Sequence, residues 1–315
     1  MSATYGRPDV ASARRTVARA LDLGVTMFDT AEMYGRGGNE RLIGAALGRR
    51  RHEVVLATKT GIRTLPGVGL PVGLDGRPER IRRSVDASLK RLGTDWIDLY
   101  YLHRVDPAVP IEDSVGAMAE AVAAGKVRHL GLSEATPAQI RGAHATHPLA
   151  AIQMEWSLFS RDVEDEVLAT ARELAIGIVA YSPLGRGMLT GAAGATTQLS
   201  LLDYRRLLPR WRRAHLAQNL RQVQILTEVA HEVGANPAQV ALAWVLSRGR
   251  DVVPIPGTTR SAHLEANLAA TTLSLSSGHL GRLEQIRASG PRYPEAVAQR
   301  TGVSTAGRAA TPGRG

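Results

Sequence analysis

The sequence of 315 residues contains no cysteine. That excludes disulfides and thiolate-bound metal, and it gives an oxidising compartment no support. No apolar run approaches the roughly 18 residues that a membrane-spanning helix needs. The opening "MSATYGRPDV" lacks the apolar stretch and cleavage pattern of a signal peptide. A cytoplasmic protein without a membrane partner is expected. Lysine is scarce: the basic residues are almost all arginine, scattered among carboxylates and without interleaved aromatics. The formal charge of +10 therefore does not describe a nucleic-acid surface; a weak steering field for an anionic cofactor is the use left for it. The densest basic run, "GRRRH" (Gly48 to His52), reads as a solvated helix exit. Metal-site spacing is also missing. "HATH" (His144 to His147) completes no ligand set, and "HEV" (His231 to Val233) is followed by Ala235 where the zinc helix motif needs a second histidine. No metal is expected. "GVGLPVG" (Gly67 to Gly73) has one residue too many for a dinucleotide fingerprint and opens no helix, so it reads as a loop.

What is present is alternation. Helix-like Ala11 to Gly24 precedes "VTMFD" (Val25 to Asp29), and a helix near Asn39 to Arg49 leads to "EVVLATK" (Glu53 to Lys59). The pattern repeats through "WIDLYYLH" (Trp96 to His103), "VRHLGLS" (Val127 to Ser133), "AIQME" (Ala151 to Glu155), "GIVAYSP" (Gly177 to Pro183) and "VVPIPG" (Val252 to Gly257). The helices between them are expected at Pro78 to Arg91, Ile111 to Ala124, Val163 to Leu174, Leu216 to Val233 and Pro237 to Ser247, with a short one opening at Pro137. Mostly apolar strands alternating with helices imply a parallel sheet covered by helices. A doubly wound sheet and a (β/α)8 barrel are the two candidates, and seven strand–helix units come close to a barrel's eight. The remaining strand would then be the first, expected ahead of Met1. The barrel is expected over residues 1–290 and a partly disordered tail over residues 291–315, of which Thr301 to Gly315 is Gly/Ala/Thr/Arg-rich.

Three consecutive strands end on an ionisable residue: Asp29, Lys59 and His103. In a barrel such ends face one mouth, and neighbouring strands lie about 4.8 Å apart. Asp29 and Lys59 can pair there, with His103 beside them and Tyr34 folding over from the loop after the first strand. A phenol, with a reference pKa of about 10, is a poor acid near neutrality. An adjacent ammonium favours its ionised form, and Asp29 would hold that ammonium in place. Tyr34 could then act as a general acid, while His103 offers a hydrogen bond to an oxygen gaining negative charge. Such a set suits delivery of hydride to carbon and a proton to oxygen. No side chain carries hydride, so a nicotinamide cofactor is implied. The same residues could instead form only a satisfied buried ion pair and a core histidine. Met33, Trp156, Tyr204 and Trp211 are candidates for a substrate pocket or for ordinary packing.

The segments "GVTMFDTAEMYG", "VVLATKTG", "DLYYLHRVD", "GKVRHLGLSE", "VAYSPLGRGMLTG" and "VPIPGTTR" occur in an order that resembles the aldo-keto reductase superfamily, over roughly Tyr5 to Tyr293. The resemblance implies a (β/α)8 barrel reducing an aldehyde or ketone with NADPH, with Asp29, Tyr34, Lys59 and His103 as catalytic residues and Tyr34 as proton donor. It also implies that Ser133 and Gln153 hold the cofactor's carboxamide and that Tyr181 stacks on its ring. Ser182, Pro183, Leu184 and Gly187 would lie along the pyrophosphate. Gly257, Thr258 and Arg260 would meet the 2′-phosphate, where a guanidinium favours NADPH over NADH, and Asn267 the adenine. Ala266 stands where relatives usually carry a glutamate, and Glu134 where many carry asparagine. Two alternatives share these residues: an NADPH-binding sensor barrel with little turnover, and an inactive product lacking its first strand.

Overall fold

The computed structural model describes residues 9–65, 71–191, 199, 203–295 and 297–298. Its elements run α1 (Val10–Asp22), β1 (Met27–Asp29), α2 (Gly38–Leu47), β2 (Val55–Thr60), β3 (Ile62–Thr64), β4 (Pro71–Leu74), α3 (Pro78–Leu92), β5 (Ile97–Leu102), α4 (Ile111–Ala123), β6 (Val127–Ser133), α5 (Pro137–Thr146) and β7 (Leu149–Glu155). They continue with α6 (Val167–Glu173), β8 (Gly177–Tyr181), α7 (Arg213–Glu232), α8 (Pro237–Leu246), β9 (Val252–Ile255), α9 (Ser261–Ala269) and α10 (Ser277–Leu283). Seven parallel strands, in the order β1-β2-β5-β6-β7-β8-β9, make a nearly closed barrel. The doubly wound alternative is set aside, because each strand's neighbour is the next one along the chain apart from the β3–β4 ribbon.

Helix signals act as written in the sequence. Pro78 opens α3 and Gly93, at φ 65°, ends it. Thr136 and Gln139 box the start of α5, and Asn236 and Gln239 that of α8. On α1 the buried residues Ala13, Val17, Ala20 and Leu21 recur at helical spacing and face the sheet. Two apolar regions result. The larger lies between sheet and helices, and a smaller one inside the barrel gathers Ala57, Leu99, Tyr101, Ala151 and Val179. The barrel interior is narrow, so its one large ring needs a gap opposite it. Gly131 supplies that gap: a Cβ there would stand 2.5 Å from Tyr101 Cε1.

Among the described residues, β1 and β9 each keep one edge without a partner strand. The helical layer does close over this seam, since α9 packs on α1. Ser12 Oγ donates to the Thr259 carbonyl (2.7 Å), and Arg19 Nε meets Glu265 Oε1 at 2.7 Å.

Several expectations are corrected. "GRRRH" is not a wholly solvated exit: it forms a 3-10 turn in which Arg51 is buried, paired with Asp98 at 2.6 Å and lying 4.7 Å over the Trp96 ring. Burial is tolerated because the guanidinium finds a carboxylate and an aromatic face together. The expected loop Gly67 to Gly73 is in part strand β4, which pairs antiparallel with β3; residues 66–70 lie outside the described residues. The helix expected over Val163 to Leu174 is split into a 3-10 turn at Asp162–Glu164 and α6. "MSATYG" and residues 299–315 of the expected tail also lie outside the described residues.

Candidate active site at the barrel mouth

Asp29 ends β1, and Lys59 lies near the end of β2. The two are not level: Asp29 pairs in register with Ala57, and Lys59 with Tyr101. The stagger of a barrel's strands carries Lys59 two residues past Asp29, and the long lysine side chain reaches back. Its ammonium is fully buried, bonds Asp29 Oδ1, and donates to the Thr30 carbonyl at 2.8 Å. A buried ammonium needs such partners, because leaving water without them costs several kcal/mol. Tyr34 comes from the turn after β1, where its amide donates to the Ala31 carbonyl (3.0 Å). Lys59 Nζ sits 5.3 Å from the Tyr34 ring centroid. His103 follows β5, its amide tied to the Thr60 carbonyl at 2.8 Å, and its ring meets Tyr34 edge-on with centroids 5.9 Å apart. The four residues thus share one site.

His103 is kept neutral. Burial pushes its imidazole well below the usual histidine range, and the positive charges of Arg104 and Lys59 push it the same way. Its Nδ1 is enclosed without a partner, which leaves Nε2 as the nitrogen able to address a ligand.

Ser133 and Gln153 are Cα partners across β6 and β7. Gln153 Nε2 donates to Asp29 Oδ2 (2.9 Å). A carboxylate only accepts, so the amide orientation is fixed and Oε1 becomes the end it can offer a ligand. Asp29 therefore holds Lys59 with one oxygen and Gln153 with the other. Ser133 Oγ accepts from Arg104 Nη1 at 3.1 Å, which leaves its proton to donate. Together the pair presents one donor and one acceptor, the complement of a primary carboxamide.

Tyr181 ends β8. Its hydroxyl donates to Glu134 Oε1 (3.0 Å) and lies 3.4 Å from the Tyr293 hydroxyl. Burial, and then the Glu134 carboxylate, push the phenol well above its usual range. The following loop is strongly bent: Ser182, Gly185, Arg186 and Gly187 all have positive φ. The Gly187 amide donates to the Leu184 carbonyl (2.9 Å), and Arg205 Nη1 would stand 3.1 Å from a Cβ at Gly187. Pro183 is buried and Leu184 half-buried in the same turn.

Gly257, Thr258 and Arg260 lie between β9 and α9. Thr258 Oγ1 accepts from the Arg260 amide (3.1 Å), Gly257 and Arg260 are exposed, and Asn267 is buried on α9. Gly257, Thr258 and Arg260 precede the N-terminus of α9, where anions are favoured, and Asn267 lies near its other end. Glu265 is no stand-in for the missing neighbour of Asn267, because it is committed to Arg19.

A second cluster was not foreseen. Glu134 holds φ 54° without being glycine, a conformation that costs about 1 kcal/mol or more. Its carboxylate takes both terminal nitrogens of Arg292, at 3.1 and 2.9 Å. Glu155 at the end of β7 binds Arg186 at 2.9 Å and lies 3.7 Å from Arg292. Arg210 bonds Ser160 Oγ (2.8 Å), which itself donates to Glu155 (2.9 Å). Burial alone would raise the Glu155 carboxyl, but Arg186, Arg292 and Arg210 hold it down at about 2. Burial brings the Arg210 guanidinium down to about 10. Arg292 and Tyr293, near the start of the expected tail, are thereby built into the mouth, and Arg186 lies 4.5 Å over the Tyr293 ring.

Trp156, a candidate for the substrate pocket, is fully enclosed, its indole nitrogen donating to Glu164 at 3.0 Å. Trp211 is nearly enclosed, with Arg205 5.0 Å over its ring, and Tyr204 and Met33 are half-buried. The set-aside histidines do local work, as when His144 Nδ1 accepts from the Leu149 amide (3.2 Å). No helix among the described residues is long and apolar enough to cross a membrane.

The sequence model of the aldo/keto reductase family matches residues 1–288. A protein described as probable aldo-keto reductase 1 from Glycine max is 46% identical over 263 residues, which are 83% of this chain and 75% of that protein. The structure of the glycerol dehydrogenase AKR11B4 from Gluconobacter oxydans superposes with a TM-score of 0.82 at 29% identity, covering 97% of this chain and 91% of that one. A thermostable aldo-keto reductase, Tm1743, solved with the inhibitor epalrestat, gives 0.71 at 30% identity, with 90% and 92% covered.

Proposed function

The chain belongs to the aldo/keto reductase family, and on that premise we propose that it reduces an aldehyde or ketone to an alcohol with NADPH, in the cytoplasm. The observation that carries the proposal is the double grip of Asp29. One oxygen fixes Lys59 beside Tyr34, and the other fixes Gln153 beside Ser133. Proton donation and recognition of a carboxamide would thus be held by one partly buried side chain.

A reduced nicotinamide bound here would supply the hydride. The donor and acceptor offered by Ser133 and Gln153 fit its carboxamide. The Tyr181 ring, held by Glu134, supports a flat group against β8. Tyr34 gives its proton to the substrate oxygen, and the Lys59 ammonium stabilises the charge left on the phenolic oxygen. The neutral His103 donates a hydrogen bond to the same substrate oxygen as it gains charge. The bent loop Ser182 to Gly187 bears on the pyrophosphate. Exposed Arg260, next to the turn at Thr258, meets the 2′-phosphate, the feature that selects NADPH.

The test is Tyr34→Phe. Reduction of 4-nitrobenzaldehyde should fall by about 10²- to 10⁴-fold, while NADPH binding, followed by quenching of tryptophan fluorescence, stays the same. Loss of binding with retained turnover per bound complex would assign Tyr34 to the fold instead. Unchanged turnover would remove it from the chemistry.

A further inference from the structure

Arg104 sits one residue past His103 and touches no reacting group in the chemistry above. It is buried, and among the described residues no carboxylate lies within ion-pair distance of it, in contrast to Arg51, Arg186 and Arg292. Its Nε has no partner at all. A charge enclosed on such terms is costly and does little for the fold. What the guanidinium does instead is bridge two strand ends with one nitrogen. Nη1 donates one hydrogen to the His103 carbonyl (2.6 Å) and the other to Ser133 Oγ (3.1 Å).

The second bond has a directional consequence. A serine hydroxyl has one proton and two lone pairs. With one lone pair taken by Arg104, the O–H is turned away from the guanidinium. A serine free to rotate could point its O–H anywhere. Here the proton is directed to the open side, where it can be donated to a ligand. In the neighbouring Gln153 one amide hydrogen is held by Asp29, which fixes the amide plane and leaves Oε1 to accept.

We propose that Arg104 is a positioning residue for the cofactor's nicotinamide: by donating to Ser133 it sets the serine hydroxyl as a donor to the carboxamide oxygen. The ring's rotation relative to His103 and Tyr34 then follows from the pairing of the Ser133 O–H with the carboxamide oxygen and of Gln153 Oε1 with its nitrogen. This deepens the nicotinamide reading of the site and rests on it. Lysine could not replace Arg104, because the bridge depends on two hydrogens of one planar nitrogen aimed at two fixed acceptors.

The experiment compares two probes, NADPH and 2′-phospho-ADP-ribose, which lacks the nicotinamide. Their dissociation constants are measured by calorimetry for the wild type and for Arg104→Met, Arg104→Gln, Ser133→Ala and the Arg104→Met/Ser133→Ala double variant. Arg104→Met should weaken NADPH by about three- to tenfold, the worth of one hydrogen bond, and leave 2′-phospho-ADP-ribose unchanged. Arg104→Gln, which can still donate, should recover part of the difference. In the Ser133→Ala background the Arg104 change should add nothing. Equal weakening of both probes, additive effects in the double variant, or failure of both Arg104 variants to fold would make Arg104 structural and overturn the proposal. If the wild type binds the two probes equally, the carboxamide is not read at Ser133 and the proposal falls. Turnover of 4-nitrobenzaldehyde by the wild type, measured alongside, then tells whether carbonyl reduction itself still stands.

Discussion

At the ends of β1, β2 and β5, one buried ion pair stands among groups with hydrogen-bonding capacity left over. Around the ends of β6, β7 and β8, the carboxylates Glu134 and Glu155 face the guanidiniums Arg186, Arg210 and Arg292 and largely use one another up. Lys59 has two of its three hydrogens placed, and His103 keeps a nitrogen without a partner. The contrast separates two jobs. A group that must give or steer a proton cannot be fully satisfied beforehand. A group that only holds a ring or a loop gains from saturation, because a half-paired buried charge destabilises more than no charge.

Three substitutions probe this division. The largest effect is expected from Lys59→Met, which should lower kcat by about 10²- to 10³-fold and move the NADPH dissociation constant little. A matching loss of thermal stability would show that the ammonium belongs to the holding half after all. Next is Arg292→Met. Glu134 would lose its bidentate partner while buried, so unfolding should become easier by about 3 to 5 kcal/mol, a fall in Tm of roughly 10 °C. A stability curve unchanged by that variant would erase the contrast.

The smallest effect belongs to His103 and depends on pH. Its folded-state value lies below the unfolded one, so above about pH 6.5 both states are neutral and nothing changes. As pH falls below about 6.5 the unfolded chain takes up a proton that the folded chain refuses. Stability should then drop by up to about 1.4 kcal/mol per pH unit until the folded-state value is reached. Urea titrations between pH 7 and 5 should show a shallower dependence for His103→Gln than for the wild type. Equal slopes would mean that the histidine is hydrated.

These two halves were not equally legible in the sequence. The first could be read because strand ends are marked locally: Asp29, Lys59 and His103 each break an apolar run, and barrel geometry brings such breaks together. Only the stagger was lost, since two strands show their lengths in sequence but not their register. The second half was hidden. Arg292 and Glu134 are 158 residues apart, and nothing marks that arginine among so many others. Arg104 was hidden differently: it stands beside His103, but its effect runs through Ser133. Arg51 was misread because a basic run says nothing about which member turns inward toward Trp96. Glu134 carried a usable signal. Asparagine tolerates positive φ and glutamate tolerates it poorly, so this substitution at a strand end already pointed to something that holds it there.

The seam between β1 and β9 has a mechanical consequence. Among the described residues no strand ladder crosses it, so load between β1 and β9 passes through the contacts of Ser12 with Thr259 and of Arg19 with Glu265. Asp29 stands at one side of the seam, and the turn toward Arg260 begins at the other. A dinucleotide bound as proposed would span the seam and tie its two sides together.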